Sequence, residues 1–208
     1  MLVEITLERL LGQYAVGDRN FNSIILEAAN IAELCLDNII CEQANLAKVN
    51  FSLTQLRHSS FRGTNLSQGL LWRTQLCQAN LKGTNLSQAQ MIRANLQGAH
   101  LDESLLVMAD LRLANLQGAN CQAANLVGAD CRYANLEGVN FSGANLSRVN
   151  FTGATLAGAN LHNAILTGAI LKAVDLSQVA LTEAFWPHRE ISTPTALKPR
   201  TAQLSQPQ

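Results

Sequence analysis

The chain has 208 residues, and its fifteen lysines and arginines balance fifteen aspartates and glutamates to a formal net charge of zero. Charged residues make up only 14%, which excludes the uniform field of a nucleic-acid or acidic-membrane binder. Apolar runs last a few residues at most, so no membrane span is expected, and the length suits one domain with a substantial core.

Residues 1–16 (MLVEITLERLLGQYAV) mix acids with apolar side chains and lack a basic n-region and a cleavage site. They do not read as a signal peptide, and a cytoplasmic location is expected. Val3, Leu7, Leu10, Leu11 and Tyr14 share one helical stripe and Gly17 is a natural stop, which predicts an amphipathic helix over 3–16. Residues 1–19 therefore read as a helix and cap over the open end of the repeat region.

From Phe21 to Leu181 every fifth residue is apolar, 33 in succession with no break in register. Two residues before each, alanine stands in 17 of the 33 repeats and only Arg19 and Leu34 depart from Ala, Gly, Ser, Thr, Val or Ile; Asn or Asp comes immediately before the apolar residue in 19. The stretch 109–161 is the most regular. A period of five fits neither a helix at about 3.6 nor a strand at about 2. It fits a short extended side followed by a corner. Four sides close a coil of twenty residues, and stacking at about 4.8 Å gives about eight coils in a rod roughly 39 Å long.

The A(N/D)LXX repeats resemble those of the pentapeptide-repeat proteins, over residues 20–184. The resemblance implies an all-β fold, a right-handed quadrilateral β-helix. In it the central Leu or Phe and the small residue point inward. The leader LLxxYxxGxRxF looks like those of cyanobacterial members, among them a regulator of heterocyst differentiation. Residues 20–186 form the β-helix on this reading.

Folding the register by twenty puts leucine at every central position of two sides and all five repeat phenylalanines on the other two. Ring stacks on one pair of walls are expected. Asn or Asp is expected to bond nearby backbone at a turn. The first two coils are irregular: Ile25, Cys35 and Ile40 occupy outward slots and Leu34 a small one. Either the leader helix packs over them or they form a contact surface. Phe185 and Trp186, ahead of Pro187, read as a plug for the last coil, and 187–208 as a flexible tail rich in Pro, Thr, Ser and Gln.

The five cysteines contain no CxxC pair, and Cys41, Cys121 and Cys131 stand in the apolar slot of the repeat. They read as small buried hydrophobes, with a zinc site as the alternative. Register keeps His58, His100, His162 and His188 apart. No GxSxG, HExxH, GxGxxG or Walker-type loop is present, and a rod without insertions has no concave pocket. No catalysis, cofactor or metal is expected.

The outer surface remains. One side carries Trp72, Ile92, Arg112 and Arg132 in a column, with Leu53, Arg73, Arg93, Leu113 and Tyr133 beside it and Leu70, Asp110 and Asp130 on the other flank. Arginine with exposed tryptophan and tyrosine is the composition of an interface hot spot. The other reading is a solvated face with local Asp–Arg pairs. The expected function is a non-catalytic protein-interaction scaffold or regulatory adaptor that binds a protein partner along its side. The alternative that the family suggests, a DNA-mimicking modulator of a type II topoisomerase, is disfavoured by neutral charge and scattered acids. Four arginines among aspartates also make direct nucleic-acid binding a weak reading. The chain is expected to be a monomer or an end-to-end homodimer.

Overall fold

The computed structural model describes residues 2–185. Strand β1 (Val3–Glu4) leads into helix α1 (Leu7–Ala15), and β2 (Ile24–Ile25) follows. β1 pairs with β2 in parallel, Val3 opposite Ile24. Beyond that the chain makes single-residue parallel bridges between residues twenty apart, from Asn20–Ile40 to Ile165–Phe185. Four five-residue repeats thus make one coil.

Backbone accounting explains the repeat. In the segment Asn95–Ala99, Asn95 N–H bonds Thr74 O in the previous coil, while Leu96 and Gly98 N–H bond Asn115 O and Gln117 O in the next. Ala99 N–H closes a turn onto Leu96 O at 3.0 Å. Only Gln97 N–H has no backbone partner, and the Asn95 side chain accepts it at 3.3 Å. A buried or half-buried N–H left unpaired is costly, so the short carboxamide or carboxylate has a definite task. All 19 Asn and Asp residues at this position make the bond, from Asn20 to Asp175. The third residue of nearly every turn has positive φ, as a type II turn requires.

Inward leucines and alanines fill the interior. Leu96, Leu116 and Leu136 are wholly buried, as are Ala94 and Ala114. The inward polar residues are satisfied too: the hydroxyls of Thr74 and Thr84 donate to Phe51 O and Phe61 O at 2.8 and 2.7 Å.

Three expectations need correction. The rings do not stack along a wall. Phe51 meets Phe61, and Phe141 meets Phe151, edge to face across the interior at 5.8 and 6.4 Å. No wall has phenylalanine in consecutive coils, so a ring finds its partner on the opposite wall, ten residues on. The helix does not begin at Val3, because that residue extends the ladder, and Thr6 caps the helix by accepting Arg9 N–H at 3.2 Å. Phe185 does not plug the rod: it is 58% exposed and continues the ladder beside Ile165. Trp186 and the segment 187–208 lie outside the described residues.

At the start of the rod, Leu10 is buried and Ile5, Leu7, Leu11 and Tyr14 pack on the core. The Tyr14 hydroxyl donates to Asp37 O at 2.9 Å, and Ile5 N–H bonds Ile25 O. The leader thus pairs with Ile25, while Leu34 is half-buried against the core and Cys35 is exposed.

Candidate functional site

The expected residues come together on one side of the rod. Each coil contributes a turn there, and the turn's third residue is Leu53, Arg73, Arg93, Leu113 and Tyr133 in successive coils, with φ between +54° and +61°. A side chain with a Cβ costs about 1–2 kcal/mol in this conformation. On the neighbouring side the same column is His58, Gln78, Gly98, Gly118 and Gly138. The large residues thus stand where glycine would be more stable. Gly153 ends their column, and a Cβ there would lie 2.6 Å from the Tyr133 ring, which rests across it.

Among the described residues thirteen large apolar side chains are exposed, and Leu53, Leu70, Trp72, Leu113 and Tyr133 belong to these few coils. Trp72 is 39% and Tyr133 62% exposed. Ile92 is half-buried beside them.

The four arginines divide into two pairs. Arg112 grips Asp110 through two hydrogen bonds, Nε to Oδ1 at 2.9 Å and Nη2 to Oδ2 at 2.7 Å. Arg132 holds Asp130 the same way at 2.9 and 2.6 Å. These bonds raise both guanidinium pKa values further. Burial pushes the Asp130 carboxyl up, but the hydrogen bonds and charges of Arg132, with the charge of Arg112, outweigh it and leave the group below its ordinary value. Arg73 and Arg93 are different. Among the described residues neither has a carboxylate partner, and Arg73 lies 5.0 Å from the centroid of the Trp72 ring.

Two open depressions flank these groups. One, of about 490 Å³, is lined by Leu53, Gln55, Arg57, Arg73, Gln75 and Arg93, without a single carboxylate. The other, of about 310 Å³, is lined by Ile92, Arg112, Leu113, Arg132 and Tyr133. Gln55, Arg57 and Gln75 lie one corner beyond the expected face. Sequence reading missed them because it treated each side as flat, although a twenty-residue register already places them next to Leu53 and Arg73.

The buried cysteines show no sign of reactivity: burial pushes the Cys41 and Cys121 thiols up to about 12 and Cys131 higher still. Among the described residues no cluster of His, Cys, Asp and Glu could hold a metal ion, and no helix is long and apolar enough to cross a membrane.

A family model for pentapeptide repeats matches in eight copies, with stretches from 24–63 to 144–185. No curated protein matches the chain. Among solved structures, the chain is similar to HetL, a pentapeptide repeat protein involved in heterocyst differentiation regulation in the cyanobacterium Nostoc sp. Strain PCC 7120. Identity is 27%, the TM-score is 0.54, and the match covers 86% of this chain and 98% of HetL. A pentapeptide repeat protein of the Arabidopsis thaliana thylakoid lumen is 35% identical over 48% of this chain and 66% of its own, with a TM-score of 0.38. QnrB1, a plasmid-mediated fluoroquinolone resistance protein, is 17% identical with a TM-score of 0.44, over 78% of this chain and 90% of its own.

Proposed function

The chain belongs to the pentapeptide-repeat family, and from that premise we propose that it is a non-catalytic interaction rod, a scaffold or regulatory adaptor that binds a protein partner along one side. The binding face is Trp72, Arg73, Ile92, Arg93, Arg112, Arg132 and Tyr133, joined by Leu53, Leu70 and Leu113. One observation carries the reading. Five exposed large apolar side chains, and two arginines without a carboxylate partner among the described residues, gather on one side of adjacent coils. Such a surface is costly to keep unless something covers it. The part HetL plays in regulating differentiation supports the regulatory form of the proposal. DNA mimicry would need phosphate-like negative charge along the rod. The arginines at midlength argue against it.

The rod comprises residues 20–185 in about eight right-handed coils, a count that follows from twenty residues per coil. Residues 2–19 form its cap. It works in the cytoplasm, in keeping with five unpaired cysteines, and as a monomer or end-to-end homodimer. Affinity capture from lysate, with wild type beside a Trp72→Ala, Tyr133→Ala variant that circular dichroism shows to be folded, tests the reading. A partner held by wild type and lost by the variant is the expected result. Retention of every partner by the variant would contradict it.

A further inference from the structure

We infer that the side face takes an acidic segment of the partner, whose carboxylates enter the depression at Arg73 and Arg93 and whose next apolar side chain seats against Ile92, Leu113 and Tyr133. This rests on the proposed side-binding role and goes on to name the chemistry of the partner.

Two features make the first depression rich in hydrogen-bond donors. Arg73 and Arg93 have no carboxylate partner among the described residues, and they stand one coil apart, about 4.8 Å along the rod. The two glutamines have their acceptors occupied: Arg57 donates to Gln55 Oε1 at 2.7 Å, and Asn95 to Gln75 Oε1 at 3.3 Å, while Gln75 Nε2 uses one of its two donors on Arg73 O at 3.2 Å. Outside its lining, the residues that precede Arg73 and Arg93 leave two backbone donors free. On this side Asn50, Asp110, Asp130 and Asn150 each cap the N–H two residues on. In the two coils between, that position is Leu70 and Gln90, and the N–H groups of Trp72 and Ile92 have no acceptor among the described residues. The repeat gives up its cap in the same two coils that carry the unpaired arginines. A carboxylate, with up to four lone-pair sites, matches unpaired guanidinium and amide donors.

The second depression has the opposite character. Its arginines are already neutralised by Asp110 and Asp130, so what it offers is apolar surface edged by planar guanidinium groups. Tyr133 stands two coils from Arg93, about 10 Å along the rod, which an extended chain spans in about three residues. A nucleic-acid strand fits less well, because its phosphates would continue past Arg93 onto arginines that no longer carry free charge.

The test uses the full chain with Trp186→Phe, so that Trp72 is the sole tryptophan and its fluorescence reports binding. The probe is a short peptide with two adjacent glutamates and a leucine three residues on. Two further arms use the same peptide with glutamine for glutamate, and a single-stranded oligonucleotide. The glutamate peptide is expected to bind, to weaken about tenfold or more in Arg73→Gln, Arg93→Gln, and to be unaffected by Arg62→Gln on another side. The circular dichroism and urea midpoint of Arg73→Gln, Arg93→Gln are expected to match wild type, so that its loss of binding does not come from misfolding. Equal binding of the glutamine peptide, no loss in the arginine variant, tighter binding of the oligonucleotide, or no binding of the glutamate peptide would each overturn the inference. Lysate capture separates it from the reading beneath it. A partner lost with Trp72→Ala, Tyr133→Ala but kept by Arg73→Gln, Arg93→Gln refutes the acidic segment alone. Retention with every face variant refutes the side-binding role itself.

Discussion

Asn115 shows what the consensus asparagine does. It accepts Gln117 N–H at 3.1 Å, donates to Asn95 Oδ1 at 3.2 Å, and receives a bond from Asn135 at 3.1 Å. Asn115→Ala leaves the Gln117 N–H without its cap and breaks the amide ladder, so a loss of about 1–2 kcal/mol is expected in urea denaturation. Asp130 adds a pH dependence. Its folded pKa is lowered, so its contribution is in place above the ordinary aspartate value of about 3.9 and is lost as pH falls through the folded value. Asp130→Asn should flatten the acid limb of a plot of denaturation midpoint against pH; an unchanged limb would show that the pair contributes nothing. Thiol labelling supplies a third check. Pulsed alkylation at neutral pH should modify exposed Cys35 and spare Cys41, Cys121 and Cys131, which become reactive only on unfolding.

Among the elements, α1 and the turn columns matter most. Leu10 is the helix residue most deeply set into the end of the rod. Leu10→Ala is expected to cost about 2–5 kcal/mol. Because each coil touches only its neighbours, the loss should appear in hydrogen exchange as faster opening of the first coils and leave the middle protected. Uniform acceleration along the rod would contradict that. Within the stack, Ala119 is buried in a filled interior, and Ala119→Phe should cost at least about 1–3 kcal/mol. The helix was legible from its stripe of Leu7, Leu10, Leu11 and Tyr14. β1 was not, since a two-residue strand has no period of its own and exists only because Ile24 and Ile25 offer an edge.

For the whole molecule, the five-residue period carried nearly everything, because each position in the repeat has one structural task. The inward columns, the twenty-residue coil and the capping role of Asn and Asp are all legible in the sequence. Ring pairing is not, since it depends on how far Phe51 reaches across the interior rather than on its column. For the candidate face, the register set its residues in adjacent columns and offered Asp110–Arg112 and Asp130–Arg132 as local pairs. In the coils of Arg73 and Arg93, Leu70 and Gln90 stand where those aspartates would be. Register could not show that these two arginines find no carboxylate elsewhere among the described residues, because a long side chain can reach across a corner to another side. That division decides which part of the side can meet a charged partner.

A partner that docks on one side of the rod, and not on the rod at large, leaves a directional signature. Site-specific photo-crosslinking reads it most directly, with benzoylphenylalanine placed at Tyr133 and, on the adjacent side, at exposed Met108. In lysate a discrete adduct is expected from position 133 and none from 108. The same adduct from both positions, or from 108 alone, would contradict side-specific docking.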